Sequence, residues 1–339
     1  MNKKLIWKLA QIIGLSICAS VSTGFAAEIN ITTKQIDFAV VSMRQEQHGA
    51  LLWRGGLELT SKSKNFGGFS GIILSETGDE FLAVSDRGYW LKANISYKNG
   101  KLNSLSNAQM APLLNAKGKK FAHWQADSEG LTKRNNSLND VVVSVELEQA
   151  LYRYKFTDAG LKTSARDWGR LIDAKKINPN KGLEGVTSLP AGHKYRGWLL
   201  ATAEKKLTKA GDHTAWLIKG KENLPLYISR SGGFDITDVS YLPNGDIVIL
   251  ERAFGIFSGP QMRIRQICGA DIKPNALVSG KTLIDANWTY AVDNMEGLGV
   301  HRASNGETIL TIISDDNFYF LQRNLMLQFA LADENSVCN

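Results

Sequence analysis

The chain has 339 residues, 43% hydrophobic and 22% charged, with 40 Lys and Arg against 33 Asp and Glu for a formal charge of +7. That length supports a large core, and so mild a positive excess does not argue for nucleic acid. The three cysteines are not spaced as a zinc site and the five histidines form no cluster, which excludes a zinc centre of the usual kind.

In chain order, residues 1–27 come first. They open with Asn2-Lys3-Lys4, run through an interrupted apolar stretch from Leu9 to Val21, and end Gly24-Phe25-Ala26-Ala27. A basic start, a short apolar centre and small terminal residues describe a secretory signal peptide, with cleavage near Ala26 or Ala27. The apolar run is too short to span a bilayer, so the mature chain is read without a transmembrane segment, periplasmic or secreted. Cys18, after Leu15-Ser16-Ile17, faintly suggests a lipoprotein site, but Ile17 is bulky where a small residue is wanted. Loss of Lys3, Lys4 and Lys8 lowers the formal charge to +4, and residues 28–339 are read as one domain. Cleavage leaves Cys268 and Cys338; export permits a bridge between them without requiring one.

Strand-like runs follow at Ile36 to Val41 and Leu51 to Leu59. Further on, hairpin signals recur at Glu76-Thr77-Gly78-Asp79, Lys98-Asn99-Gly100-Lys101, Pro243-Asn244-Gly245-Asp246 and Ser304-Asn305-Gly306-Glu307. They predict antiparallel sheet throughout. Only Ser144 to Tyr154, and part of Ala165 to Lys176, have helical flavour. At the far end Phe318-Tyr319-Phe320-Leu321 and the run Leu325 to Leu331 extend beyond the last repeat, and one terminus is expected to complete the other's sheet.

A repeat organises the chain. Asp127-Ser128-Glu129-Gly130-Leu131-Thr132 returns as Gly182-Leu183-Glu184-Gly185-Val186-Thr187 and as Asn294-Met295-Glu296-Gly297-Leu298-Gly299, with degenerate copies at Phe69-Ser70-Gly71-Ile72 and Thr237-Asp238-Val239-Ser240. Ser70, Glu129, Glu184, Thr237 and Glu296 are then spaced by 59, 55, 53 and 59 residues. A second acidic residue follows each, at Asp86, Glu146, Glu204, Glu251 and Asp315. Units of this length built from short strands indicate an all-β propeller. Dividing the mature length by the repeat favours six blades, with five as the alternative. Equivalent positions in a propeller converge on its axis, which would gather up to eight carboxylates. Like charges so gathered raise one another's pKa or demand a cation, and several carboxylates with carbonyl oxygens are the set calcium prefers.

Gly67-Gly68-Phe69-Ser70-Gly71, Ser85-Asp86-Arg87-Gly88, Asp127-Ser128-Glu129-Gly130-Leu131, Leu250-Glu251-Arg252, Asp293-Asn294-Met295-Glu296-Gly297 and Ser314-Asp315-Asp316-Asn317-Phe318 together resemble the bacterial "esterase-like activity of phytase" family, over roughly residues 60 to 332. The resemblance implies an exported propeller related to calcium-dependent phytases. It implies less about the reaction, because a fold hosts many chemistries.

Glu129, Glu184 and Glu296, each followed by Gly, are the leading metal ligands; Asp86, Glu146, Glu204, Glu251 and Asp315 stand behind them. The bland reading has these carboxylates bracing turns or pairing with Arg. Arg87, Lys205 and Arg252, each directly after an acidic signal, are candidate clamps for an anionic substrate; inter-blade ion pairs are the alternative. Arg87 and Arg252 would also hold charge developing in a reaction. His123, before Asp127, is a candidate general acid or base, though a histidine beside Trp124 commonly only packs. Ser70 lacks the spacing and context of a nucleophilic serine. The expected function is a monomeric, calcium-binding hydrolase of phosphate esters. A calcium-dependent lactonase or carboxylic esterase, and a non-catalytic binding propeller, are the alternatives.

Overall fold

The computed structural model describes residues 26–39, 45–122, 126–157, 160–171, 182–256 and 258–338. The leader with Cys18, and His123 and Trp124, lie outside the described residues. The chain opens with β1 (Ala27–Glu28), β2 (Ile31–Ile36), β3 (Gln47–His48) and the long β4 (Leu51–Ser61). The first whole unit is β5 (Phe69–Leu74), β6 (Glu80–Ser85), β7 (Tyr89–Lys98) and β8 (Lys101–Pro112); the second is β9 (Ser128–Arg134), β10 (Ser137–Val145), β11 (Ala150–Lys155) and β12 (Arg166–Arg170). The third holds β13 (Leu183–Ser188), β14 (Leu199–Leu207), β15 (His213–Lys219) and β16 (Glu222–Ile228). The fourth holds β17 (Asp235–Tyr241), β18 (Ile247–Gly255), β19 (Gly259–Ile267) and, after the short β20 (Leu277–Val278), β21 (Lys281–Ala286). Last come β22 (Asn294–Arg302), β23 (Thr308–Asp315) and β24 (Asn324–Leu331).

Each unit is built of antiparallel strands, with β20 added in parallel to β16 at the outer edge of the third, and the five sheets form the five blades of a propeller whose innermost strands β5, β9, β13, β17 and β22 pack side by side around the axis. Five blades therefore replace the favoured six. The residues left over at the N-terminus make no blade of their own. Instead β4 pairs with β24 from Leu51↔Leu331 to Leu59↔Asn324, and β2 adds outside β4, so both ends of the chain share the fifth blade. The closure is well packed: Leu325, Leu327, Phe329 and Leu331 point into the core between the fourth and fifth blades, and Met326 into that between the fifth and first. Burying each such side chain contributes about 1.5–3 kcal/mol. Similar apolar clusters fill the remaining gaps between adjacent blades.

The turn signals are realised as turns. Asn99 and Gly100 both take positive φ (54° and 71°), the geometry that matches the twist of the flanking strands β7 and β8. The helical expectation over Ser144 to Tyr154 is corrected: this stretch ends β10, turns through Gln149 at φ 48°, and returns as β11. Its apolar residues alternate across a pleat, with Ala150, Tyr152 and Tyr154 in one inter-blade core and Leu151 in the other. The part of Ala165 to Lys176 that is described is β12, another strand, and its remainder lies outside the described residues.

Cys268 and Cys338 are bridged. The tail after β24 leaves the fifth blade and crosses onto the fourth, where buried Asp246 accepts hydrogen bonds from the Val337 N–H (2.8 Å), the Ser336 hydroxyl (2.8 Å), the Gln266 amide (2.8 Å) and the Gly269 N–H (3.1 Å). A carboxylate serving four donors is a lock for the tail. Asp246→Ala should lower the unfolding free energy by about 3 kcal/mol, measured by urea unfolding; an unchanged midpoint would show that the tail is held without this carboxylate.

Candidate metal centre

The five positions read as equivalent from sequence spacing share one structural feature. Each lies in a register irregularity of an innermost strand: Ser70 between Phe69↔Ser85 and Gly71↔Val84, Glu129 between Ser128↔Val145 and Leu131↔Val143, Glu184 between Leu183↔Ala203 and Val186↔Ala201. Thr237 and Glu296 occupy the corresponding bulges of β17 and β22. A bulge bends its strand and re-aims a side chain, and here it directs the repeat's carboxylates into the axis. The glycine after the bulge allows close approach. A Cβ at Gly71 would sit 2.6 Å from the Glu129 carbonyl, one at Gly185 2.6 Å from the Val239 nitrogen, and one at Gly130 would collide with the Glu184 carbonyl. Where the fourth unit has Asp238 instead, its buried carboxylate accepts the Val239 N–H (2.8 Å) and reaches across to the Leu298 N–H (2.7 Å).

Glu129, Glu184 and Glu296 meet at the axis, joined by Asp86, Glu146, Glu204 and Asp315 from within or just after the second strands, each close enough to another to act on its charge. Asp127 completes the group. It stands in the repeat two residues before Glu129, the spacing that returns to one face of a strand, but the other two Glu-Gly copies have Gly182 and Asn294 at that place. Carboxylate oxygens of Asp127, Glu129 and Glu146 all lie within 4.8 Å of one another. Asp86, Asp127 and Glu129 are partly exposed, whereas Glu146, Glu184, Glu204, Glu296 and Asp315 are buried.

Burial pushes Glu129 and Glu184 well above the usual carboxylate range, and their acidic neighbours push them further. Burial first, and then Asp127 and Glu204, raise Glu146 to about 8 against the opposing Gly182 N–H. Burial with Asp86 and Glu296 beside it takes Asp315 to about 8. Glu296 rises to about 7 through burial, opposed by Arg252, and Asp86 to about 6 through burial, opposed by Arg87. A site that holds these six carboxylates this far from ionisation is short of positive charge.

Of the basic candidates, Arg252 bridges two members of the cluster. It pairs with Glu296 (2.6 Å) and Glu204 (3.1 Å) and donates to the Asn294 amide oxygen. Burial works against its charge, but Glu296, Glu204 and Glu184 outweigh it and hold its pKa above the ordinary value. It thus joins three blades, as the inter-blade alternative had it, while remaining at the site. Lys205 stands at the mouth, exposed, 2.7 Å from Glu204. The Arg87 guanidinium lies 3.1 Å over the centre of the Phe318 ring, beside Asp86.

Glu251 is not brought to the axis. It is fully buried on the opposite face of β18, held by Arg263 Nε (2.7 Å), Arg265 Nε (2.8 Å) and Arg265 Nη2 (2.5 Å). Neighbouring residues on a strand point oppositely, so Arg252 takes the axial place. Ser70 is buried, its hydroxyl 3.4 Å from the Gly68 carbonyl, with no base among its hydrogen-bond partners.

Hard oxygen donors in excess, gathered without matching positive charge, define a propeller with an axial site suited to a divalent cation. The chain belongs to the phytase-like family described as "esterase-like activity of phytase", whose profile matches residues 64–318. No curated protein matches it. Among solved structures it is similar to a chain described as a gluconolactonase candidate (TM-score 0.41, 11% identity, covering 91% of this chain and 96% of that one). It is also similar to U3-55K (0.40, 10%, 91% and 100%) and to the Dos1 propeller (0.35, 8%, 83% and 76%). Likenesses this distant carry no argument.

Proposed function

We propose that the protein is an exported, monomeric, calcium-binding hydrolase of phosphate esters. The observation that carries this reading is the axial gathering of eight carboxylates, Asp86, Asp127, Glu129, Glu146, Glu184, Glu204, Glu296 and Asp315, with Arg252 paired to two of them at the edge. The donor set fits calcium: all oxygen, with the Asp127, Glu129 and Glu146 oxygens near enough to share one ion and three of the carboxylates open to solvent. Those three residues would hold it, with Glu184 and Glu296 behind. A bound calcium supplies charge that offsets an ester's phosphate oxygens and makes a nearby water more acidic.

The chain's own residues supply the rest. Arg252 and Lys205, at the edge of the acidic ring, attract and orient the anionic head; Arg252 is preorganised by Glu204, Glu296 and Asn294, so little reorganisation is needed when negative charge builds up. Asn294 in turn donates to Glu296 (2.9 Å) and fixes that carboxylate. Support for export comes from the leader-like residues 1–27 and from the Cys268–Cys338 bridge, since disulfides persist in oxidising compartments. Among the described residues no helix is long and apolar enough to cross a membrane.

The test is hydrolysis of a panel of phosphate monoesters by leaderless protein in calcium and in excess EDTA. Turnover that EDTA abolishes and calcium restores is expected. Activity indifferent to EDTA would remove the metal from the reading, and inactivity across the panel would remove the hydrolase.

A further inference from the structure

Next to the axial ring a trough of 810 Å³ opens between the fourth and fifth blades. Its floor includes Glu204, Lys205, Arg252 and Asn294, which are residues of the centre itself. Its walls are of another kind: Phe254 and Pro260 from the β18–β19 hairpin, Trp288 from the segment after β21, and Tyr319 and Leu321 from the β23–β24 loop. Of the eight large apolar side chains exposed to water among the described residues, Phe254, Trp288, Tyr319 and Leu321 line this trough, and Ile256 and Phe320 belong to the same two loops. Leaving Phe254 78% and Leu321 66% exposed has a cost in free energy, and so concentrated a patch marks a binding surface.

The apolar walls are also held in place. The loop carrying Tyr319 to Leu321 is tied by Asp316, which accepts the Phe318 N–H (3.2 Å), the Asn324 amide (2.8 Å) and, from the first blade, the Gly68 N–H (3.0 Å). Trp288 lies against Gly259, where a Cβ would be 3.3 Å from its own. Charges of both signs, Asp235, Asp293, Lys205 and Arg323, are interleaved around the trough. A face that docks on an anionic bilayer is dominated by basic residues instead. Concave shape, a volume suited to one small molecule and continuity with the charged centre favour an amphiphilic ligand.

Resting on the hydrolase reading, we propose that the substrate is an amphiphilic phosphate monoester, its head over the acidic centre and its alkyl or aryl group along Phe254, Trp288, Tyr319 and Leu321. Water is the co-reactant: its oxygen bonds to phosphorus, the bond from phosphorus to the ester oxygen breaks, and a proton from the water leaves with the alcohol.

The test compares ethyl phosphate with hexyl phosphate, whose leaving alcohols differ little in acidity, using the calcium-loaded leaderless protein. The kcat/KM for the hexyl ester should exceed that for the ethyl ester at least about tenfold, because each buried methylene adds to transition-state binding. Trp288→Ser and Phe254→Ser should bring the ratio close to one, and Leu277→Ser, on a different edge, should leave it as it is. Melting curves of the variants control for folding. Equal turnover of both esters overturns the trough assignment and leaves the hydrolase reading standing. If neither ester is hydrolysed, calorimetric binding decides: tighter, Trp288-dependent binding of hexyl phosphate keeps the trough and removes the hydrolase, and no difference removes both. Trp288-dependent sedimentation with phosphatidylglycerol vesicles, without chain-length preference in solution, would assign the patch to a lipid surface and overturn the proposal.

Discussion

Calcium is expected to raise the melting temperature of the leaderless protein by about 5 °C at pH 8 and by much less at pH 5. A ligand at a hundredfold excess over its dissociation constant contributes about 2.7 kcal/mol, and for a chain of this size each kcal/mol is worth about 2 °C. The pH dependence follows from the axial carboxylates. Asp86, Glu296, Glu146 and Asp315 have folded pKa values raised to about 6, 7, 8 and 8, above those of the unfolded chain. The folded, metal-free protein then binds more protons than the unfolded one, so its stability falls as pH rises. Their contribution is fully present below the unfolded carboxylate range and is lost by about pH 8. Calcium requires the ionised forms and replaces those protons. Its affinity should increase with pH across the same window, with proton release measurable as a buffer-dependent heat. Stabilisation by calcium that is equal at pH 5 and pH 8, with no protons released, would contradict the axial site.

How far the sequence revealed this centre depended on the residue. The bulge was legible without being recognised as one: the Glu-Gly pair recurs because the strand needs a residue turned inward and then a backbone with no Cβ. The closing strands were legible too, since Leu51 to Leu59 and Leu325 to Leu331 are apolar runs that no unit claims. The blade count was not, because both runs belong to the same blade. Glu251 was assigned to the axis by its place after Val-Ile-Leu, yet a shift of one residue exchanges the two faces of a strand. Arg263 and Arg265, two apart on β19, are the partners that mark Glu251's true face, and only the register Glu251↔Arg263 connects them. The tail lock at Asp246 was hidden inside a hairpin signal, where an Asp after Asn-Gly has a sufficient local explanation. The aromatic trough is assembled from three separate loops, a proximity no spacing encodes.

Glu251 and Glu129 provide the sharpest contrast, because similar sequence signals should give opposite results. Glu251→Gln leaves Arg263 and Arg265 buried without a carboxylate, and removing one partner of a buried ion pair costs about 3–5 kcal/mol. The melting temperature should fall by about 8 °C, equally in calcium and in EDTA, with the calcium-induced increment preserved. Glu129→Gln puts a neutral amide in place of a carboxyl whose ionised form burial and its acidic neighbours oppose. The metal-free variant should melt no lower than the wild type, and higher at pH 8. Its calcium affinity should fall at least about a hundredfold, since charge count sets the strength of such sites, and turnover should fall with it. Differential scanning fluorimetry of both variants, with and without calcium, reads all four outcomes. A Glu129→Gln protein that is destabilised in EDTA and still responds to calcium would make the residue a structural brace; a Glu251→Gln protein that loses only its calcium response would return that carboxylate to the metal.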